Sequence, residues 1–278
     1  MIHSHYPKVG FDPMRLTKKR FATTLAATSV ALLALTACGS DSGSAEPSAD
    51  AAGGPTFLNA GKLTVCSDIP YEPFEFVKDG KNIGFDMDIA AEIAKDAKVE
   101  LNVIDASFDS IESGLFKSQC DIAISSLSIT DARAKKMNFS TPYMDDDLVL
   151  ISKDGSGITD LATAKDKKVG VQQATTGEKY AKEQGLSNIV GYEDAGLQTQ
   201  ALLAGQVDAL LGNQSVLGYA IKDKPGYAVV ADFKTGEQLG VGVPLEQAAT
   251  LELVNGTLKR LTDSGEMKEL TVKWFGEK

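Results

Sequence analysis

Histidine is nearly missing from this chain. Two occur in 278 residues, His3 and His5, and both fall in an N-terminal stretch that reads as a removable leader. Without histidine, the rest of the sequence cannot run a Ser-His or Cys-His nucleophile or build a His-ligated metal site. That sets aside most hydrolases. Cysteine is scarce, with three, and tryptophan occurs once. No basic run interleaved with aromatics is present and the formal charge is −10, so nucleic acid is not an expected partner. No metal cluster, phosphate loop or haem motif is found, and no cofactor is expected. The apolar run Leu25 to Leu35 is too short to cross a bilayer comfortably.

That run has the context of an export signal. Arg15, Lys18, Lys19 and Arg20 form a positive region ahead of it, and Leu35-Thr36-Ala37-Cys38 follows it. The tetrapeptide resembles the bacterial lipobox, which implies cleavage before Cys38 and a diacylglycerol on its thiol; a plain secretory signal is the alternative. Residues 1–37 are thus expected to be a signal peptide, with Met14 a reasonable true start. The protein is expected at the outer face of the cytoplasmic membrane. Cleavage would remove five basic side chains and one acidic one, taking the formal charge from −10 to −14. Residues 38–56, rich in Ser, Gly, Ala and Pro without apolar periodicity, read as the lipidated cysteine and a flexible tether.

The length is enough for one or two domains and a sizeable core. Strand-like runs begin at Lys62, Leu101, Asp121, Leu148, Lys168, Ile189, Val207 and Leu239. Helical patterns cover Asp86 to Ala97, Asp109 to Lys117 and Gly196 to Ala204, with helix starts near Thr175 and Asn213. Two closing helices span Leu245 to Thr262 and Glu266 to Phe275. Strands alternating with helices predict parallel, doubly wound sheets, whose ligands sit outside the carboxyl ends of the strands. Cys66 and Cys120 are the thiols left beside Cys38. Two thiols in an exported protein suggest a disulfide, but each is expected inside a strand, Cys66 late and Cys120 early. In a parallel pair that offset would keep them apart, so both outcomes stay open.

The most informative stretch runs from Ser125 to Tyr143, SSLSITDARAKKMNFSTPY. Hydroxyls at Ser125, Ser126 and Ser128 end a buried strand, and Thr130-Asp131 can cap a short helix carrying Arg133. Hydroxyls, loop amides and a guanidinium fork suit a small carboxylate; a capped surface helix with an ordinary ion pair is the plainer reading.

S-x-S-I-T-x-x-R followed by N-F-S-x-P-Y resembles the signature of family 3 extracellular solute-binding proteins, the polar-amino-acid receptors of ABC importers. D-x-x-Y-x-P-F from Asp68, G-F-D-M-D from Gly84, V-G-V-x-x-x-T-T-G from Val169 and K-W-F-G from Lys273 extend the resemblance. It implies a type II periplasmic-binding-protein fold of the α/β class: two doubly wound lobes joined by two interlobe strands, with a ligand cleft between them. Residues 57–147 plus 241–278 would form lobe 1 and 148–240 lobe 2. It implies a protein without enzymatic activity that closes on a small polar amino acid or related carboxylate and delivers it to a membrane permease; the tether and lipid predict a monomer. Bending would occur near Asp145 to Val149 and Gln238 to Val243, where Gly240 and Gly242 either supply freedom or mark close packing.

By the same resemblance Arg133 binds the ligand α-carboxylate, helped by Ser128 and the amide of Thr176. Tyr71 and Phe108 flank the ligand, core packing being the alternative for both and above all for Phe108. Ser125 and Ser126 take the carboxylate or the α-amino group, and Asp68 meets the side-chain end. Gln172 and Thr175 contribute from lobe 2. One position departs from the pattern: Asn213 stands where most family members carry an Asp that holds the α-ammonium. An ammonium would then lean on another carboxylate such as Asp68, or the ligand would lack an ordinary α-amine. Rival readings are an exported cyclohexadienyl dehydratase acting on prephenate or arogenate, and a sensory protein of the same fold.

Overall fold

The computed structural model describes residues 54–277; the expected signal peptide, the lipidation site Cys38 and the tether as far as residue 53 lie outside them. Among the described residues no helix is long and apolar enough to cross a membrane.

The first half begins with β1 (Lys62–Ser67), the hairpin β2 (Phe76–Lys78) and β3 (Lys81–Ile83), and α1 (Phe85–Asp96). β4 (Glu100–Asp105), α2 (Phe108–Glu112), β5 (Ile122–Ala123) and β6 (Asn138–Phe139) follow. The chain crosses through β7 (Met144–Asp145) to β8 (Leu148–Lys153), α3 (Leu161–Ala164), β9 (Val169–Gln172), α4 (Thr176–Glu183) and β10 (Ile189–Tyr192). Next come α5 (Ala195–Leu203), β11 (Ala209–Asn213), α6 (Gln214–Ile221) and β12 (Tyr227–Phe233). It returns through β13 (Gln238–Leu239) to β14 (Gly242–Val243), α7 (Ala248–Ser264) and α8 (Glu266–Phe275).

Two five-stranded sheets result, ordered β4-β1-β5-β14-β6 and β10-β9-β11-β8-β12. β1 runs parallel to β4 and β5, and β9 parallel to β10 and β11, as the alternating pattern predicts. Antiparallel strands occur where the chain changes lobe: β14 beside β5 and β6, and β8 beside β11 and β12. Between the lobes β7 and β13 pair antiparallel.

β1 is buried on both faces beyond its first residue, because helices cover each side of a parallel sheet. With side chains alternating, Leu63 and Val65 join the core under α1, while Cys66 joins Phe108, Ile111 and Phe116 on the other face. In the second lobe Leu148 and Leu150 serve one core and Val149 and Ile151 the other.

Several expectations are corrected. The helix over Asp109 to Lys117 is broken, because Gly114 takes a left-handed conformation (φ 80°) and the chain resumes as a 3-10 turn at Leu115–Ser118. The single strand from Leu239 to Val243 divides into β13 and β14. A Cβ on Gly240 would lie 2.9 Å from Ile129 Cδ1, and one on Gly242 2.8 Å from Met137 Sδ; neither glycine has positive φ. Close packing therefore explains both. β12 has no counterpart in the sequence reading.

The geometric objection to a disulfide also fails. Cys66 is bonded to Cys120, with Cα atoms 5.7 Å apart. The reason is that Cys120 is not in the strand. β5 starts at Ile122, and the amide of Cys120 still bonds back to Phe116, so the chain approaches from beneath the sheet, under Cys66.

Candidate functional site

Four loops leave the carboxyl ends of β1, β5, β9 and β11 and hold every candidate binding residue but Phe108, which opens α2 after β4. Asp68 follows β1, the three serines follow β5, Gln172 ends β9 ahead of Thr175 and Thr176, and Asn213 ends β11.

Arg133 is 3% exposed in a 3-10 turn, Arg133–Lys135, whose first amide donates to Thr130 Oγ1 at 3.2 Å, the capping role expected of that threonine. Two of its five N–H donors go to carbonyls on opposite sides of the cleft, Ser128 O at 2.9 Å and Ala174 O at 3.1 Å. Its guanidinium lies 5.2 Å from the Phe108 ring centroid. Phe108 is thus a buried platform beneath the cation as well as a core residue beside the disulfide. Burial lowers the Arg133 pKa, opposed by Glu112, Glu237 and Tyr71, but an arginine keeps its charge.

Asp68 is buried, and Gln172 Nε2 donates to its Oδ2 at 2.6 Å from the other lobe. Burial drives its pKa up to about 7 against the lowering effect of Gln172, with Asp194, Asp105 and Glu193 adding to the rise. Gln172 Oε1 and Ser126 Oγ are buried with no protein partner. Ser126 (φ 46°) and Ala174 (φ 62°) hold left-handed backbone without being glycine, one in each lobe's cleft loop. Such strain costs about 1–3 kcal/mol and concentrates at functional sites.

Other candidates are already engaged. Ser125 Oγ donates to Glu75 and accepts from the Asp68 amide, so this hydroxyl faces the lobe interior rather than the cleft. Thr175 Oγ1 caps α4, accepting from Glu178 N and donating to Gln172 O. Asn213 Nδ2 donates to Asp146 O at 3.4 Å, and the residue lines a cavity of about 10 Å³ with Tyr71, Gln172 and Thr175. The cleft is therefore closed tightly around these side chains.

Two acids here escaped the sequence reading. Glu237, just before β13, accepts at Oε2 from Ser128 Oγ and Thr176 Oγ1, both at 2.7 Å, linking the lobes. Asp146 lies in the other crossing segment, buried, and takes both the amide and the hydroxyl of Ser215. Burial raises its pKa to about 7, the two Ser215 bonds opposing and Glu237 and Asp147 reinforcing. Burial also raises the pKa of the Tyr71 hydroxyl, and the nearby carboxyl groups of Asp146, Glu75, Asp68 and Glu237 add to the rise, so acids crowd the centre of the cleft. Neither acid was a candidate from the sequence, although Asp146 falls within the expected bending segment Asp145 to Val149 and Glu237 directly precedes the other, Gln238 to Val243. Among the described residues no His/Cys/Asp/Glu group is placed to hold a metal.

The chain resembles known proteins over nearly its whole described length. It is 32% identical over 218 residues to the arginine-binding periplasmic protein of Mannheimia haemolytica, covering 75% of this chain and 89% of that one. It is 33% identical over 256 residues to the arginine-binding extracellular protein ArtP of Bacillus subtilis (strain 168), covering 88% and 94%. The solved structure of an ancestral arginine-binding protein bound to arginine superposes with a TM-score of 0.73 at 32% identity, covering 78% of this chain and 99% of that one. The model of the bacterial extracellular solute-binding proteins, family 3, matches residues 63–277, and the chain belongs to that family.

Proposed function

We propose that this protein is the lipid-anchored receptor of an ABC importer for a cationic amino acid, with L-arginine the leading ligand. The observation that carries the reading is the charge arrangement of the cleft. One buried guanidinium, Arg133, feels the Glu237 carboxylate and shares the surroundings of Tyr71 with the carboxyl groups of Asp68, Asp146 and Glu237. A ligand with one carboxylate and two cationic ends complements that set. Arg133 takes the α-carboxylate as a fork. Asp146 and Glu237, on the crossing segments, supply the negative charge for the α-ammonium that Asn213 does not bring. Asp68 and Gln172 meet the distal cation, and Ser126 Oγ and Gln172 Oε1 gain partners. The names of the arginine-binding relatives support the same class.

Mechanistically, hydrogen bonds from both lobes to one ligand favour closure, since a ligand shifts a conformational equilibrium only by its differential affinity for the two states. The closed form docks on the permease and releases its ligand there. Anchoring through Cys38 and a tether keeps a monomeric receptor near that permease, and no reaction is catalysed.

The test is a thermal-shift panel on residues 57–278 with amino acids, betaines, organic acids and prephenate. A ligand that binds only the folded state raises its melting temperature by mass action. L-Arginine or another cationic amino acid is expected to give the largest shift, abolished by Arg133→Ala. Shifts confined to amine-free acids, or consumption of prephenate, would overturn the reading.

A further inference from the structure

Behind the turn that carries Ser125 and Ser126 lie two carboxyl groups with no solvent access, Glu75 and Asp86. Glu75 precedes β2, and Asp86 stands in the first turn of α1. Each supports one residue of the turn. Ser125 Oγ donates to Glu75 Oε1, and Ser126 N donates to Asp86 Oδ2 at 2.7 Å, an oxygen that also receives Tyr143 OH at 3.1 Å. The other two oxygens, Glu75 Oε2 and Asp86 Oδ1, are buried without a protein donor.

Two ionised carboxylates with orphaned oxygens in a dry site would be strongly unfavourable. Of the ionisable groups facing them, Asp68 and Tyr71 from the loop after β1 bring no relief, and Tyr143 donates only to the Asp86 Oδ2 that Ser126 already holds. A single proton resolves both orphans, with a Glu75 hydroxyl donating to Asp86 Oδ1, and the two side chains are within hydrogen-bonding reach.

We infer that Glu75 and Asp86 share one proton and act as positioning residues, holding the Ser125–Ser126 turn in its ligand-ready conformation. Burial and the neighbouring Asp86 charge push Glu75 far above the usual carboxylate range, making it the proton carrier. Asp86 then stays the charged acceptor for the Ser126 amide, which offsets the left-handed strain at that residue. Ser125 passes the restraint on, because its hydroxyl also accepts from the Asp68 amide at 3.0 Å. Loss of the proton would place two like charges in contact and release the turn.

The affinity arm of the test rests on the proposed cationic ligand; the spectroscopic arm does not. Infrared spectra are taken in mildly alkaline buffer, above the range near 7 to which burial raises Asp68, Asp86 and Asp146. The wild-type chain is expected to show a protonated-carboxyl carbonyl band that Glu75→Gln removes. L-Arginine affinity is then followed against pH. Wild type should weaken at alkaline pH more steeply than Glu75→Gln, whose amide donates permanently; the ligand's own deprotonation is common to both. At neutral pH Glu75→Gln should stay within about threefold of wild type and Glu75→Ala fall about tenfold, the scale of one hydrogen bond to a charged group. A missing band, or identical pH profiles for wild type and Glu75→Gln, overturns the inference. Failure of wild type to bind L-arginine would instead count against the proposed ligand, leaving the band to decide the shared proton.

Discussion

Gln172 donates its side-chain amide to Asp68 across the cleft at 2.6 Å, the acceptor coming from the first lobe and the donor from the second. The bond joins two residues far apart in sequence, and it opposes the effect of burial on Asp68, the acid expected to meet the distal end of a ligand.

Burial raises the Asp68 pKa to about 7, so the folded chain binds more protons there than the unfolded one. Its contribution to stability is full in acid and lost as pH rises through about 7. A bound cation reverses that sign, since it favours the carboxylate. L-Arginine affinity should therefore rise with pH below about 7, by as much as tenfold per unit, and level off above it. The rise should be blunted in Asp68→Asn, measured by titration calorimetry across pH.

Glu237 holds hydroxyls of both lobes on one carboxylate oxygen. Glu237→Ala should shift the ligand-free equilibrium toward the open form by about 2 kcal/mol, roughly thirtyfold, for two charge-assisted bonds. Small-angle scattering should show a larger radius of gyration for the ligand-free variant, converging with wild type once ligand is added.

The sequence carried the signature residues and the alternation of the two sheets, because buried parallel strands and amphipathic helices have strong periodicity. What it did not carry depends on tertiary approach. Cys120 reaches Cys66 only because the chain leaves the ladder before β5. Ser125 looked like a cleft hydroxyl until Glu75 was seen to draw it inward. Asp146 and Glu237 lie in short crossing segments whose pairing partners are about a hundred residues away, and nothing local marks them as cleft acids. Glu75 and Asp86 were visible as acids inside apolar motifs, yet their pairing required the fold.

The disulfide closes a long loop, joining residues 54 positions apart, directly before Asp68. Cys66→Ser or Cys120→Ser should lower unfolding stability by about 2–4 kcal/mol, read from denaturant midpoints. Reductant should bring wild type close to the variants and leave them unchanged.

Gly84 precedes α1 at φ 141°, and a Cβ there would sit 1.9 Å from Phe74 O. Neither the backbone conformation nor the space admits a side chain. Gly84→Ala should cost about 3 kcal/mol or more, and its effect on Asp86, two residues on, should weaken ligand binding in whatever fraction stays folded.

The most direct test of the cationic-ligand account compares L-arginine with L-citrulline, nearly the same shape without the distal charge, by titration calorimetry on residues 57–278 at neutral pH. The acidic cleft predicts that citrulline binds at least about a hundredfold more weakly, the equivalent of ~2.7 kcal/mol for a charge left uncompensated in a buried site. It also predicts that Asp68→Asn narrows this gap. Equal affinity for the two, or no binding of either, would contradict it.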